Sequence, residues 1–272
     1  MHKDISVAVP SRHRNNTLRR FIETYWDSIN HLEHRHPLVT VLHDSPKLLT
    51  YDESVVNTDV ESAEIPSLYR SVYIPDKSSL TELWNLSIIF APTDWVLICN
   101  DDVTFNRGWL EYLEEQIVTD KYDMIHLFHY GGMCLHKRLI LKMGWFDENF
   151  RGGGFEDIDY QLRISEAGLR DRVDRSHDYI RTENKVEIGH FMNHHRDVQS
   201  NGSWSGENNA EWMCEKWGRK SPYDYRIPSF RQKREVNWYP SYTSKYEKKY
   251  GIRWCEFEER IMRSMAGEPV YL

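Results

Sequence analysis

Three short segments gather the side chains that can bind ions or move protons. Asn100-Asp101-Asp102 follows a run of five apolar residues, Trp95 to Cys99. Carboxylates on a turn at a strand end suit an oxygen-ligand cation, Mg²⁺ or Mn²⁺, which keeps waters and bridges to phosphate oxygens. The same residues also make ordinary turns, because Asn and Asp bond to nearby backbone. The second segment is Gly152-Gly153-Gly154-Phe155-Glu156-Asp157-Ile158-Asp159. Glycines let the backbone approach a ligand, and a helix start offers free N–H groups and positive potential. Capping explains one or two acids there more easily than three after a triple glycine. A carboxylate so placed can act as a general base toward a hydroxyl. The third is His190-Phe191-Met192-Asn193-His194-His195-Arg196-Asp197, where three histidines within six residues can complete a metal site.

The elements that must position these groups read as α/β. Ile5 to Val9 forms a strand that Pro10 ends, and Asn15 or Asn16 caps a helix with Leu18, Phe21, Ile22, Tyr25 and Ile29 on one face. Leu38 to Leu42 is a second strand, followed by a long polar excursion over 45–70. Ser79-x-x-Glu82 matches a capping box for a helix that runs to about Phe90, where Pro92 stops it. Trp95 to Cys99, apolar on both faces, belongs in the middle of a covered sheet. A short helix to Val118, a strand at Met124 to Phe128, and a helix headed by Glu156 and closed by Gly168 follow. Alternating strands and helices argue a mostly parallel sheet, whose ligands sit beyond the carboxyl ends of the strands. Those ends are Pro10-Ser11-Arg12, Asp44 and Asn100-Asp101-Asp102, so one shared site is expected.

The 272 residues suffice for one large domain and a sizeable core. At 40% hydrophobic and 28% charged, the chain is neither disordered nor a membrane protein. The longest apolar stretch, Ser87 to Cys99, is cut by Pro92 and Asp94, so no membrane span is expected. The first residues lack the apolar core of a signal peptide. Cys99, Cys134, Cys214 and Cys255 are far apart and read as free thiols, which predicts a cytoplasmic protein. Charge is uneven: residues 1–212 carry −12, while residues 213–254 carry +7. That basic stretch interleaves Arg231, Lys233, Arg234 and other cations with aromatic rings. It suits an anionic acceptor, or it is a helical appendage with solvated cations.

Taken together, these segments resemble nucleotide-sugar glycosyltransferases of the GT-A fold, similar to family 2 enzymes and to the β-1,4-galactosyltransferase branch. VAVPSRHR (7–14) is similar to the opening strand and uridine-side loop of that group. WVLICNDDV (95–103) resembles the strand that carries its D-x-D metal motif, with Asn100 in place of the first Asp. GWFDENFRGGGFEDIDYQLRISEAG (144–168) resembles the acceptor-side signature, and HHRD (194–197) a late H-x-R-D segment. The likeness covers about residues 4–200 in the right order.

The resemblance implies a Rossmann-like, mostly parallel sheet flanked by helices. It implies a GT-A domain over 1–200, with the nucleotide-sugar half about 1–103 and the acceptor half about 104–200, and a basic, aromatic-rich extension over 201–272. It implies that Pro10, Ser11, Arg12 and Arg14 line the nucleotide pocket and that Asp44 approaches the base or ribose. Asn85 and Asp101 would face the donor. Asp102 and His194 would hold Mn²⁺ or Mg²⁺, with His190 or His195 as rival ligands. Asp157 would be the catalytic base, with Glu156, Gly153, Gly154 and Asp159 toward the acceptor. The implied reaction is inverting transfer from a UDP-sugar or similar donor to a glycan or other polymer, with hydroxylated DNA as the lesser alternative. A metal-dependent phosphatase or nuclease, or a binding module without catalysis, would use some of the same residues.

Overall fold

The computed structural model describes residues 5–11, 15–32, 37–43, 69–74, 79–128, 130–151, 153–174, 189–190, 206–222, 240–250 and 259. Contacts divide the chain into two compact units. One is Met1–Ser78, Leu86–Leu135 and Arg172–Asn193; the other is Ser79–Asn85, His136–Asp171 and His194–Leu272.

The first unit is built on parallel strands β1 (Ile5–Ser11), β2 (Val39–His43), β3 (Tyr69–Tyr73) and β4 (Trp95–Cys99). β5 is Val103–Thr104, β6 Met124–Phe128, β7 Gly132–His136, β8 Val173–Asp174 and β9 Gly189–His190. The main sheet has seven strands in the order β3-β2-β1-β4-β7-β6-β8, and β5 pairs with β9 apart from it. β1 pairs in parallel with both β2 and β4, β2 with β3, and β6 with β8; β7 runs antiparallel to β6. This is the mostly parallel α/β sheet that the alternation of elements predicts.

Pro10 does not end β1, which continues to Ser11 in register with His43. The Val7 N–H donates to the Leu38 carbonyl at 2.9 Å, toward β2. By the period of two, the nitrogen of residue 10 faces the β4 side, where pairing has already stopped at Ala8. The missing N–H of proline therefore removes no ladder bond. β3 and β7 depart from the sequence expectation, which places a polar excursion over 45–70 and no strand at 132–136.

Helix α1 (Asn15–Ile29) buries Leu18, Phe21, Tyr25 and Ile29 of the predicted stripe, and its fifth member, Ile22, is partly buried against the same core. That stripe packs in one core with Ile5, Val7 and Val9 of β1, Val39 and Val41 of β2, and Trp95, Leu97 and Cys99 of β4. Alternate residues on each strand face the same side, so one sheet face meets one helix stripe. Phe105 meets Phe21 edge to face at 5.1 Å, and Trp109, opening α3 (Trp109–Val118), donates its Nε1–H to Ser28 Oγ at 2.8 Å. Helix α2 (Leu80–Phe90) starts as the capping box predicts, with the Glu82 N–H donating to Ser79 Oγ at 3.1 Å.

The second unit holds α4 (Arg138–Met143), α5 (Glu156–Glu166), α6 (Gly206–Trp217) and α7 (Pro240–Tyr250). Described residues of the C-terminal third belong with 136–171 because their cations and rings meet acids there. Lys216 Nζ lies 2.7 Å from both Asp147 and Asp159, with 1% of its side chain exposed. Lys245 sits 2.5 Å from Glu148 and 2.9 Å from Glu82.

Candidate functional site

In the first unit, parallel pairing aligns the carboxyl ends of β1, β2 and β3 through the register Ser11, His43, Tyr73. β4 ends one residue before Asn100. The Ser11 hydroxyl donates to Asp101 Oδ2 at 2.8 Å, so the ends of β1 and β4 are joined by a side-chain bond. Ser11, Asp101 and Asp102 are all buried, at 2%, 5% and 7% exposure. The Asn100 N–H donates to the Gly131 carbonyl at 2.9 Å, and the Val103 N–H to the Asn100 carbonyl at 3.3 Å, which shapes the turn that carries the two acids. Beyond it, Val103 of β5 is opposite His190 of β9. Pairing thus brings the backbone of one candidate histidine beside the residue that follows Asp102.

Arg12, Arg14, Asp44, Gly152, His194 and His195 lie outside the described residues. Pro10 is buried within β1. The His43 ring, wholly buried, pairs its Nε2 with Ser71 Oγ at 2.7 Å. Burial pushes the Cys99 and Cys134 thiols well above their usual range, so neither supplies a thiolate.

In the second unit, Gly153, Gly154 and Phe155 lead into α5 with φ of 145°, 104° and 73°. A left-handed conformation is natural for glycine, but for phenylalanine it stores roughly 1–3 kcal/mol of strain. A Cβ on Gly154 would meet no atom within 4 Å, so the backbone angle alone calls for glycine there. Phe155 packs against the cluster of Phe150, Leu162, Met213 and Trp217, which helps to hold its unusual backbone.

Helix α5 then opens on Glu156 and Asp157. Glu156 is buried, and its pKa is pushed up to about 7, first by burial and then by the neighbouring Asp157 charge. N–H groups of Gly154 and of Glu156 itself bond its carboxyl group and oppose that rise. Asp157 is only half-buried, and its Oδ1 accepts the Ile158 N–H at 2.8 Å. Two adjacent acids with different surroundings are a common way to obtain one protonated and one ionised group.

Two of the expected site residues sit in buried hydrogen-bond networks. Asp159 is wholly buried: Arg163 Nε lies 3.0 Å from it, Lys216 2.7 Å, and the Trp217 Nε1–H donates to it at 2.9 Å. Its oxygens anchor α5 to α6. Asn85 is also wholly buried. Its amide donates to the Phe146 carbonyl and to Glu148 Oε1 and accepts the Phe146 N–H, each at 3.0 Å. Its side chain clamps the chain at 146–148.

Asp147 and Glu148, inside the G-W-x-D-E segment, prove to be anchors as well. Asp147 accepts from Lys216 at 2.7 Å, Trp212 at 3.1 Å and Tyr242 at 3.0 Å, and the Lys216 ammonium holds its carboxyl well below the usual range despite burial. Glu148 accepts from Asn85, Lys245 and Tyr246. Asn209 of α6 was not foreseen at all. Its side chain binds the Arg151, Gly153 and Gly154 backbone just ahead of Glu156. No spacing marks it, because in Gly206-Glu207-Asn208-Asn209 it reads as one polar residue among several.

No family model and no curated protein matches the sequence. Solved structures do resemble it. S. aureus TarS is 14% identical with a TM-score of 0.47, over 62% of this chain and 57% of that one. The chain thus spans less than two thirds of that structure. Drosophila β1,4-galactosyltransferase 7, bound to manganese, UDP-Gal and xylobiose, is 15% identical with a TM-score of 0.46, over 71% of this chain and 73% of that one. A Pyrobaculum calidifontis mannosyltransferase, with GDP-Man and Mn²⁺, is 15% identical with a TM-score of 0.47, over 64% of this chain and 55% of that one.

Proposed function

We propose that this chain is a GT-A glycosyltransferase that moves a sugar from a nucleoside-diphosphate sugar, a UDP-sugar first, to an acceptor hydroxyl with inversion. The observation that carries the reading is the joined carboxyl edge of the parallel sheet. Ser11 and Asp101 are bonded at 2.8 Å, Asp102 follows, and His190 is opposite the next residue but one from Asp101. Ligands of open α/β sheets gather at such edges.

In this reading Pro10, Ser11, Arg12, Arg14 and Asp44 bind the nucleotide, and Asp101 orients the donor through its bond to Ser11. Asp102, with His194 or in its place His190, would hold Mn²⁺ or Mg²⁺. When bound, the cation supplies Lewis-acid stabilisation of the leaving diphosphate. Asp157 takes the proton of the attacking acceptor hydroxyl, which is a poor nucleophile without a base. Glu156, with a pKa of about 7, is protonated in about half of the molecules near neutral pH and in that form donates a hydrogen bond to the acceptor, while Asp157 serves as the ionised member. Gly153 and Gly154 let the acceptor approach the backbone. One base opposite one leaving group means a single displacement and an inverted anomeric centre. The acceptor is a glycan or another polymer, and the basic stretch at 213–254 favours an anionic one.

The test is incubation with UDP- and GDP-sugars, with water and then xylobiose as acceptors, in Mn²⁺, Mg²⁺ or excess chelator. Released nucleoside diphosphate with a transferred sugar is the expected result. Phosphate release from simple esters without any use of a nucleotide sugar would instead mark a phosphatase and overturn the proposal.

A further inference from the structure

The loop that precedes the two acids is held by one side chain from a distant part of the sequence. Asn209 is 1% exposed. Its Oδ1 accepts the Arg151 N–H at 2.9 Å, and its Nδ2 donates to the Arg151 carbonyl at 2.9 Å and to the Gly153 and Gly154 carbonyls at 3.1 Å each. A short amide is suited to this because it carries an acceptor and two N–H donors on one planar group, one of the two N–H being shared between carbonyls. Water cannot easily replace it at such burial, so each of those backbone groups depends on it.

We infer that Asn209 is a positioning residue: it fixes the left-handed run Gly153–Phe155 and so sets how Glu156 and Asp157 are presented at the start of α5. The coupling is stereochemical. The Gly153 carbonyl and the Gly154 N–H are the two ends of one peptide plane. Asn209 holds the carbonyl end, and the Gly154 N–H bonds the carboxyl group of Glu156. The second bond, to the Gly154 carbonyl, fixes the next plane, on the nitrogen side of Phe155. Phe155 has a positive φ that a side chain rarely adopts, and such a conformation persists only where its surroundings over-determine it. Asn209 supplies that determination from the polar side, while Met213 and Trp217 of the same helix supply it from the apolar side.

The inference rests on the proposed function for its catalytic meaning, but its test does not require sugar transfer. The full chain, labelled with ¹³C at glutamate carboxyl groups, is titrated by NMR, and Glu156 is assigned by its loss in Glu156→Gln. The charged neighbour facing Glu156 is Asp157, which Asn209 variants leave in place. Asn209→Ala frees the 153–154 peptide and withdraws an N–H that favours the ionised carboxylate. The Glu156 midpoint should therefore rise by roughly one pH unit. A folded Asn209→Ala protein with an unchanged midpoint overturns the inference. Should that variant fail to fold, Asn209→Ser, which keeps a short donor, carries the same expectation and the same refutation. In the transfer assay, kcat should fall at least tenfold while the KM for UDP-sugar stays within twofold. An equal loss of both would also overturn it. A wild-type protein that transfers no sugar removes the proposed function alone, and the titration still decides the role of Asn209.

Discussion

At the scale of single residues, the proposed chemistry rests on two neighbouring acids in unlike surroundings. Asp157→Asn keeps the shape but cannot take a proton, so transfer should fall by about 10²–10⁴-fold while donor affinity is preserved. Retained turnover, or an equal loss of donor binding, would move the base elsewhere. Glu156 gives a second expectation, through stability. Its pKa is raised from 4.5 to about 7 in the folded chain, so between those values the folded state binds more protons than the unfolded one. Its contribution is fully present below about pH 4.5 and is lost as pH rises through about 7, by an amount on the order of 3 kcal/mol. Glu156→Gln should flatten that decline in Tm between pH 4.5 and 7.5, and the check is a series of melting curves. The acidic segment stands out in the sequence because three carboxylates after a triple glycine are hard to explain as capping. What the sequence does not show is how differently the three are surrounded. Asp159 is drawn into the interior by Lys216 and Trp217, partners more than fifty residues away, and no local spacing reveals them.

At the scale of elements, α6 is the piece that ties the second unit together. Lys216 neutralises Asp147 and Asp159 at once, and all three are almost fully buried. Lys216→Met would leave buried Asp147 without its cation and Asp159 with Arg163 alone, and should destabilise the protein by about 3–5 kcal/mol. Urea denaturation, read at constant m-value, measures this; a loss below 1 kcal/mol would mean that the pair is replaceable by water. The helices were readable because their stripes and caps are local: the α1 stripe, the Ser79 box and the glycine at 168 all work within a few residues. Strands β3 and β7 were not. Tyr69-Arg70-Ser71-Val72-Tyr73 is an edge strand of mixed polarity that pairs only with β2, so its sequence carries no alternation. Gly132 to His136 opens on glycine and lies between β4 and β6, where pairing with neighbours outweighs local preference.

At the scale of the whole molecule, the proposed donor residues and the proposed acceptor residues fall in different compact units. Their variants should therefore separate kinetically. Asp102→Ala should weaken UDP-sugar binding in the presence of Mn²⁺ but not in excess chelator, whereas Asp157→Asn should do neither; calorimetric titration of the donor distinguishes them. The uneven charge bears on the acceptor. Part of the excess in 213–254 is spent inside the fold, since Lys216, Lys245 and Lys249 face Asp147, Asp159, Glu148 and Glu82. These cations are counter-ions, and the sequence could not separate them from the rest because their acidic partners lie far along the chain. The remaining argument for an anionic acceptor rests on cations such as Arg231, Lys233 and Arg234. Reversing those three to Glu changes the local charge by six without touching any residue assigned to the donor. If the acceptor is anionic, its KM should rise, most at low salt where screening is weakest, and hydrolysis of the donor by water should be unchanged. Acceptor kinetics indifferent to both the reversal and the ionic strength would mean that the basic stretch is a solvated face, and the acceptor would then have to be sought among neutral glycans.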